Sequence, residues 1–242
     1  MKLKEAIESL GVAESLSVAI NVAREIGVDW EGSASFVFNV IVNDLNRVPG
    51  IGARRDDEEA VIRKWVVKYQ KGKDGRASSR ASKPLGTVAD PIIDVIIGAR
   101  AKRLGSDDLN KITYAHRVSM SAENILGSML EEYLSENLLQ YGWHCAWGET
   151  VKSVDFVHED GSLLQIKNRS NSENSSSRTV RDGTSINKWY RIKADRVEYM
   201  WDGLNSITGA ESLSENSFSE FVKEIILNNP GCLAVEDINP WL

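Results

Sequence analysis

The stretch SVDFVHEDGSLLQIKNR, Ser153 to Arg169, decides how this chain folds. VDF and LLQIK alternate with the period of two that sends successive strand side chains to opposite faces. Asp160–Gly161 between them is a hairpin signal, because the central positions of a tight turn need positive φ, which Asp and Gly adopt at little cost. In VDF, Val154 and Phe156 take the core side and leave Asp155 on the other. In LLQIK, Gln165 and Lys167 are two apart and project from one face. The turn can therefore bring a carboxylate, an amide oxygen and an ammonium to one patch, with a backbone carbonyl between the last two.

Hard oxygen donors with open water positions suit Mg²⁺, which commonly binds through one or two carboxylates plus a substrate phosphate. A lysine beside such an ion can orient or help deprotonate a water for attack on phosphorus. A second acid should stand nearby, and the helical stretch SMSAENILGSMLEEYLSENLLQYG offers it. Ser121 can cap this helix, Ile125, Met129 and Tyr133 with Leu126, Leu130, Leu134 and Leu138 form its apolar stripe, and Gly142 follows its end near Leu139. Glu123, Gly127 and Glu131 fall in one i, i+4, i+8 row, where the central glycine leaves room for a substrate. Glu131 is the favoured ligand donor and Glu123 the alternative; Glu132 lies about 100° further round.

The chain has 242 residues, net charge −6 and a sequence pI near 5.3, which by themselves argue against a nucleic-acid partner. The distribution argues the other way. Between Arg63 and Lys83 eight basic residues face the single acid Asp74, and between Lys167 and Lys193 seven face Glu173 and Asp182. Acids gather near the termini, so the field is sided and suited to steering a polyanion. The tract NRSNSENSSSR fits either a flexible spacer or a polar surface that grips phosphates. On the second reading Asn168, Arg169, Ser170, Asn171 and Asn174 supply phosphate and sugar contacts, which position a duplex without reading it.

Elsewhere the periodicity predicts helices over Leu3–Ile26, about Ala34–Leu45, from an Asp56/Glu59 capping box to Gln70, about Ile92–Leu104 with Pro91 in its first turn, and across SFSEFVKEIILNN before Pro230–Gly231. Residues 71–83 read as a surface loop that could wrap a duplex, and VPGIG (Val48–Gly52) as a glycine turn with a phosphate-binding alternative. WHCAW, SVDFVHE, SLLQIKNR and RVEYMW read as strands. The sum is an α/β chain, a mixed β-sheet flanked by helices, with a largely helical N-terminal portion (1–110) and a core with a DNA-contacting segment (111–242), or one compact domain. Cys145 and Cys232 have no metal spacing and read as reduced, buried thiols; His116, His144 and His158 read as structural or surface residues. No signal peptide or membrane span is expected, which points to the cytoplasm.

HRVSMSAENILGSMLEEYL followed by VDF…LLQIKNRSNSENSSS resembles the type II restriction endonucleases of the PD-(D/E)XK superfamily, of the SinI-like and TdeIII-like families, which cut GGWCC and GGNCC-type sites. The resemblance is clearest from His116 to Trp189. It implies a restriction-endonuclease-like fold, Mg²⁺-dependent double-strand cleavage leaving 5′-phosphates, a homodimer on a near-palindrome, and a cognate DNA methyltransferase protecting host sites. By it, Asp155 is the metal-bridging acid, Gln165 occupies the second acid position and Lys167 is the catalytic lysine. Gln165 departs from the pattern, since a neutral amide binds Mg²⁺ more weakly than a carboxylate, and the helix glutamate becomes more necessary. A GG/CC site asks for arginine on guanine O6 and N7 and aspartate on cytosine N4. Arg178 and Arg181 are then guanine readers, Asp182 a cytosine reader, and Lys188 and Arg191 further DNA contacts. The rival readings are a structure-specific repair or junction nuclease and a non-catalytic DNA-binding module with a degenerate metal site.

Overall fold

A computed structural model describes residues 1–83, 86, 88–170, 185–237 and 239–241. Helix α1 (Leu3–Ile26) is kinked at Gly11, whose φ of 76° is open to glycine at no steric cost. It is long and apolar enough, by length and composition, to cross a membrane. Its apolar face (Leu3, Ala6, Ile7, Ala19, Val22, Ala23) is nevertheless buried in the protein, and the helix packs along α3, as a core helix does. A π-helical turn (Trp30–Ala34) leads into α2 (Ser35–Asn43). Helix α3 (Glu58–Asp74) is capped by Asp57, which accepts from Ala60 N at 2.8 Å, and not by Asp56. Asp56 instead accepts from Ala53 N and pairs with Lys64 at 2.6 Å.

Helix α4 (Pro91–Arg100) follows, with Asp90 as its cap. Helix α5 runs for 33 residues, Ser106–Leu138, starting well before Ser121. Asp107 and Asp108 in its first turn favour that earlier start, since carboxylates complement the positive end of the helix dipole. Glycines 98 and 127 leave both helices unbroken, and α5 crosses the 110/111 boundary between the two expected portions.

The sheet has the order β1 (Trp143–Cys145), β2 (Phe156–His158), β3 (Leu163–Arg169), β4 (Ile186–Ile192) among the described residues. β1–β2–β3 is an antiparallel meander, and β4 adds parallel to β3. The expected strand RVEYMW is replaced by β4. Lys193 N donates to Glu198 O at 3.0 Å, turning the chain back, so that Tyr199 makes a lone bridge to Ile192 and Trp201 opens α6 (Trp201–Thr208). Helix α7 (Glu215–Asn228) closes the fold, capped by Ser214. One hydrophobic cluster runs through Phe38, Trp65, Leu134, Phe156 and Leu164, joining the N-terminal helices to the sheet.

The basic segment after α3 is held, not loose. α3 absorbs residues 71–74, and Asn229 Nδ2 donates to the carbonyls of Ala77, Ser78 and Arg80 at 2.8–3.3 Å. Ser82 N donates to Gly231 O at 2.8 Å. The VPGIG turn is equally engaged: Leu3 N donates to Ile51 O at 2.9 Å and Lys2 Nζ to Gly52 O at 3.0 Å. A Cβ on Gly52 would lie 2.5 Å from the Met1 carbonyl oxygen, so this glycine serves close packing against the N-terminus.

Candidate active site

The hairpin forms as its sequence dictates. Gly161 takes φ 89°, and Ser162 N donates to Asp160 Oδ1 at 2.8 Å. Phe156 pairs with Leu164, which carries Asp155 alongside Gln165. Asp155 N donates to Leu164 O at 2.9 Å, and Asp155 Oδ2 accepts from Ile166 N at 2.8 Å. The carboxylate is thereby pinned across the two strands, while Val154 and Phe156 sink into the core. Gln165 and Lys167 project from the face opposite Leu164 and Ile166, and β4 aligns Lys188 with Gln165 and Tyr190 with Lys167.

A cleft of about 410 Å³ opens over this patch, lined by Asp155, Gln165, Lys167, Lys68, Glu149 and the Pro49–Gly50 turn among others. Gln165 is only 6% exposed, and its Oε1 is buried with no hydrogen-bond partner. A buried amide oxygen without a donor is costly, on the order of 1–3 kcal/mol, unless something fills the position. Glu131 of α5 stands within electrostatic reach of the same groups. Burial first, and then the Asp155 carboxylate, push its pKa up to about 7; Lys167 opposes the rise and Glu149 adds to it. The same surroundings raise the buried Cys145 thiol, through desolvation and then the Glu131 and Asp155 charges. Glu123, the alternative acid, is exposed two turns earlier on α5. Between them Gly127 has no atom within 4 Å of where a Cβ would sit, so the row is open to solvent.

No three His, Cys, Asp or Glu side chains converge on one point among the described residues. Two acids plus an amide is what the sequence offers, and these donors fit a hard divalent cation: it would relieve both the Glu131 carboxyl, whose pKa the Asp155 charge helps to raise, and the orphaned carbonyl oxygen.

Three contributors to the cleft were not legible in the sequence. Lys68 donates to Glu149 O at 3.3 Å, bringing a cation from α3 to the rim. This depends on glycines: a Cβ on Gly72 would lie 2.4 Å from Gly148 N, and one on Gly148 2.6 Å from Lys68 O. Gly148 also takes φ 74°. Glu149 (φ 55°) and Ser153 (φ 62°) hold left-handed conformations that cost most residues about 1–2 kcal/mol, and both line the cleft. Trp65 Nε1, donating to Thr150 O at 2.9 Å, fastens the loop between them to α3.

The expected DNA contacts divide. Asn171, Asn174, Arg178, Arg181 and Asp182 lie outside the described residues. Arg169 and Ser170 are exposed at the end of β3, with Ser170 Oγ accepting from Ala194 N at 3.0 Å. Lys188 is half-buried. Arg191 is not on the surface: it shares the inward face of β4 with Trp189, is 9% exposed, and its guanidinium pairs with Glu215 over the Phe218 ring. Its Nε donates to Asn168 Oδ1 at 2.9 Å, which turns that amide inward too. His144, only 5% exposed, stacks on Phe36 at 4.2 Å and keeps a lowered pKa through burial. Both cysteines are buried free thiols.

The family model for SinI restriction endonuclease matches residues 19–228, and the chain belongs to that family. It is 39% identical over 153 residues to the type II restriction enzyme Eco47I of Escherichia coli, covering 61% of this chain and 66% of that protein. It is 38% identical over 148 residues to the type II restriction enzyme SinI of Salmonella infantis, covering 59% and 64%. The chain thus spans just under two thirds of the length of these curated relatives.

Proposed function

We propose that this chain is a type II restriction endonuclease that hydrolyses both strands of DNA at a short GC-rich near-palindrome of GGWCC or GGNCC type. The observation that carries the reading is the buried, partnerless Gln165 Oε1 in a cleft shared with Asp155 and Lys167, within electrostatic reach of Glu131. Membership of the SinI family and the similarity to two type II restriction enzymes support the class of activity.

Asp155, Gln165 and Glu131 would hold Mg²⁺. When bound there, the ion supplies Lewis-acid stabilisation of charge developing on the scissile phosphate. The chain's own part is positional. Asp155, fixed by Ile166 N, sets the depth at which a phosphate can sit. Lys167 Nζ donates to a phosphate oxygen and aligns the attacking water in line with the departing 3′ oxygen, which leaves the 5′-phosphate on the other fragment. Glu131 can retain or release a proton near neutrality, as the site's charge demands. Arg169 and the segment carrying Arg178, Arg181 and Asp182 would position and read the duplex. A homodimer would present two such centres to the two strands, and a methyltransferase in the same cytoplasm would guard host sites.

Incubation of plasmid DNA with the protein and Mg²⁺ tests the reading. Discrete fragments with 5′-phosphate ends, abolished by EDTA, are expected. Nicks confined to junctions or damage would replace it with a repair nuclease, and retention without cutting with a DNA-binding module.

A further inference from the structure

Helix α4 has no buried residue. Its outer stripe consists of Ile92, Val95, Ile96 and Ala99, at i, i+3, i+4 and i+7, and ends on Arg100 at i+8. Ile92 is 54% exposed, Val95 62% and Ile96 64%, with Val88 just ahead of the helix at 93%. The apolar surface continues over Ile93 into a groove of about 550 Å³ against α5, where Ile97, Ile112 and Met120 lie. Surface helices of monomers place such a stripe inward; here a contiguous row of β-branched side chains faces out, which marks an interaction surface.

The charges at the two ends of the stripe select the occupant. Exposed Asp90 precedes the apolar row, and exposed Arg100, Lys102 and Arg103 follow it. In an antiparallel pair of α4 helices crossing near Val95–Ile96, each Asp90 comes opposite the partner's Arg100, while the isoleucines meet in the middle. A two-fold interface requires that if residue i touches j, j touches i, and this helix satisfies the condition with its own sequence. A parallel arrangement would set like charges together. We infer that the outer face of α4 is a self-complementary dimerisation surface whose occupant is α4 of a second copy of this chain. The inference deepens the proposed function by naming the surface that joins two cleavage centres, but it is read out as mass, so its failure and that of the nuclease reading are separable.

The test is sedimentation velocity on the full chain without DNA. A dimer is expected for the wild type. Ile96→Asp puts two carboxylates into the apolar centre and should weaken association by about 100-fold or more. Because Ile96 is exposed, the fold should survive, and Val95→Lys provides an independent second disruption. Arg100→Glu and Asp90→Lys should each weaken self-association through like-charge contacts. Mixing the two variants should restore a dimer. In the mixed pair the two substituted positions, 100 on one copy and 90 on the other, face each other with opposite charges, and so do the unaltered Asp90 and Arg100. Loss of the Asp90 cap, which accepts from Ile92 N at 3.0 Å, cannot produce that rescue. A monomeric wild type would overturn the inference and leave the face to a different partner. So would a dimer that persists in Ile96→Asp and Val95→Lys, or a mixture that stays monomeric.

Discussion

Glu131 and Glu132 are neighbours on α5, yet they belong to two different regions of the molecule. Glu132 points away from the cleft and is fully buried, but its carboxylate is satisfied: Ser78 N donates to it at 3.0 Å, Ser78 Oγ donates as well, and Arg76 Nε lies 3.2 Å away. It straps the basic segment 76–80 onto α5, with Arg80 Nη1 adding a bond to Ser128 Oγ at 3.3 Å. Glu131, about 100° round the helix, lies within electrostatic reach of the Asp155 carboxylate, and burial first and then that charge push its pKa up to about 7. One acid has donors arranged around it and the other has been placed beside another acid. A carboxylate with its own donors builds structure; one held in a destabilised state with an orphaned amide oxygen nearby is kept for a ligand.

The most forceful attempt to break this contrast is on the cleft side. Lys167→Ala should lower the rate of Mg²⁺-dependent plasmid cleavage about 10²–10⁴-fold, with the urea unfolding midpoint close to wild type, because Lys167 is half-buried at the rim of an open cleft. Digestion at the wild-type rate would end the assignment of the cleft as a nuclease centre.

The strap side should respond in the opposite sense. Glu132→Ala removes the acceptor of two Ser78 donors and the partner of Arg76. Breaking a buried charge pair from one side costs about 3–5 kcal/mol. Arg76 is 36% exposed, which reduces the expected loss to about 2–3 kcal/mol. Urea unfolding should show that loss, while cleavage per folded molecule stays near wild type. A variant that is stable but inactive would reverse the roles given to the two glutamates.

Legibility in the sequence followed locality. The hairpin and the face shared by Asp155, Gln165 and Lys167 rest on a period of 2 within one stretch of chain, and these three line one cleft; the period of 3.6 put Glu123 and Glu131 in one row, of which Glu131 feels the Asp155 charge. What was missed depends on contacts far apart in sequence. Lys68 reaches the cleft only because Gly72 and Gly148 let α3 touch the 147–149 turn. INKWYRI was passed over as a strand because its burial does not follow a period of two: Ile186, Trp189, Arg191 and Ile192 are buried, on both faces, and parallel pairing with β3 is what makes the segment a strand. Arg191 read as a DNA contact for the same reason, since Glu215, its partner, comes from α7. The 71–83 loop read as free because Glu132 and Asn229, which hold it, lie 54 and about 150 residues away.

The finest discrimination between the two acids is by pH. Glu131 has its folded-state pKa raised from the ordinary 4.5 to about 7. The folded protein therefore binds this proton more tightly than the unfolded chain. The resulting stability is fully present below pH 4.5, falls as the pH rises through the interval, and is gone above about 7, where the ionised carboxylate is a constant burden. At about 1.4 kcal/mol per unit, the interval bounds the effect near 3 kcal/mol, and solvent in the cleft brings it to on the order of 1–2 kcal/mol. Glu131→Gln keeps the shape and removes the ionisation. In EDTA, this variant should match wild type at pH 4.5 and exceed it by that amount at pH 8, with the difference opening between those limits. It should also cleave DNA more slowly, since a carboxylate donor is lost. Parallel stability curves across that range would mean that Glu131 is ordinarily solvated, and the contrast with Glu132 would reduce to burial alone.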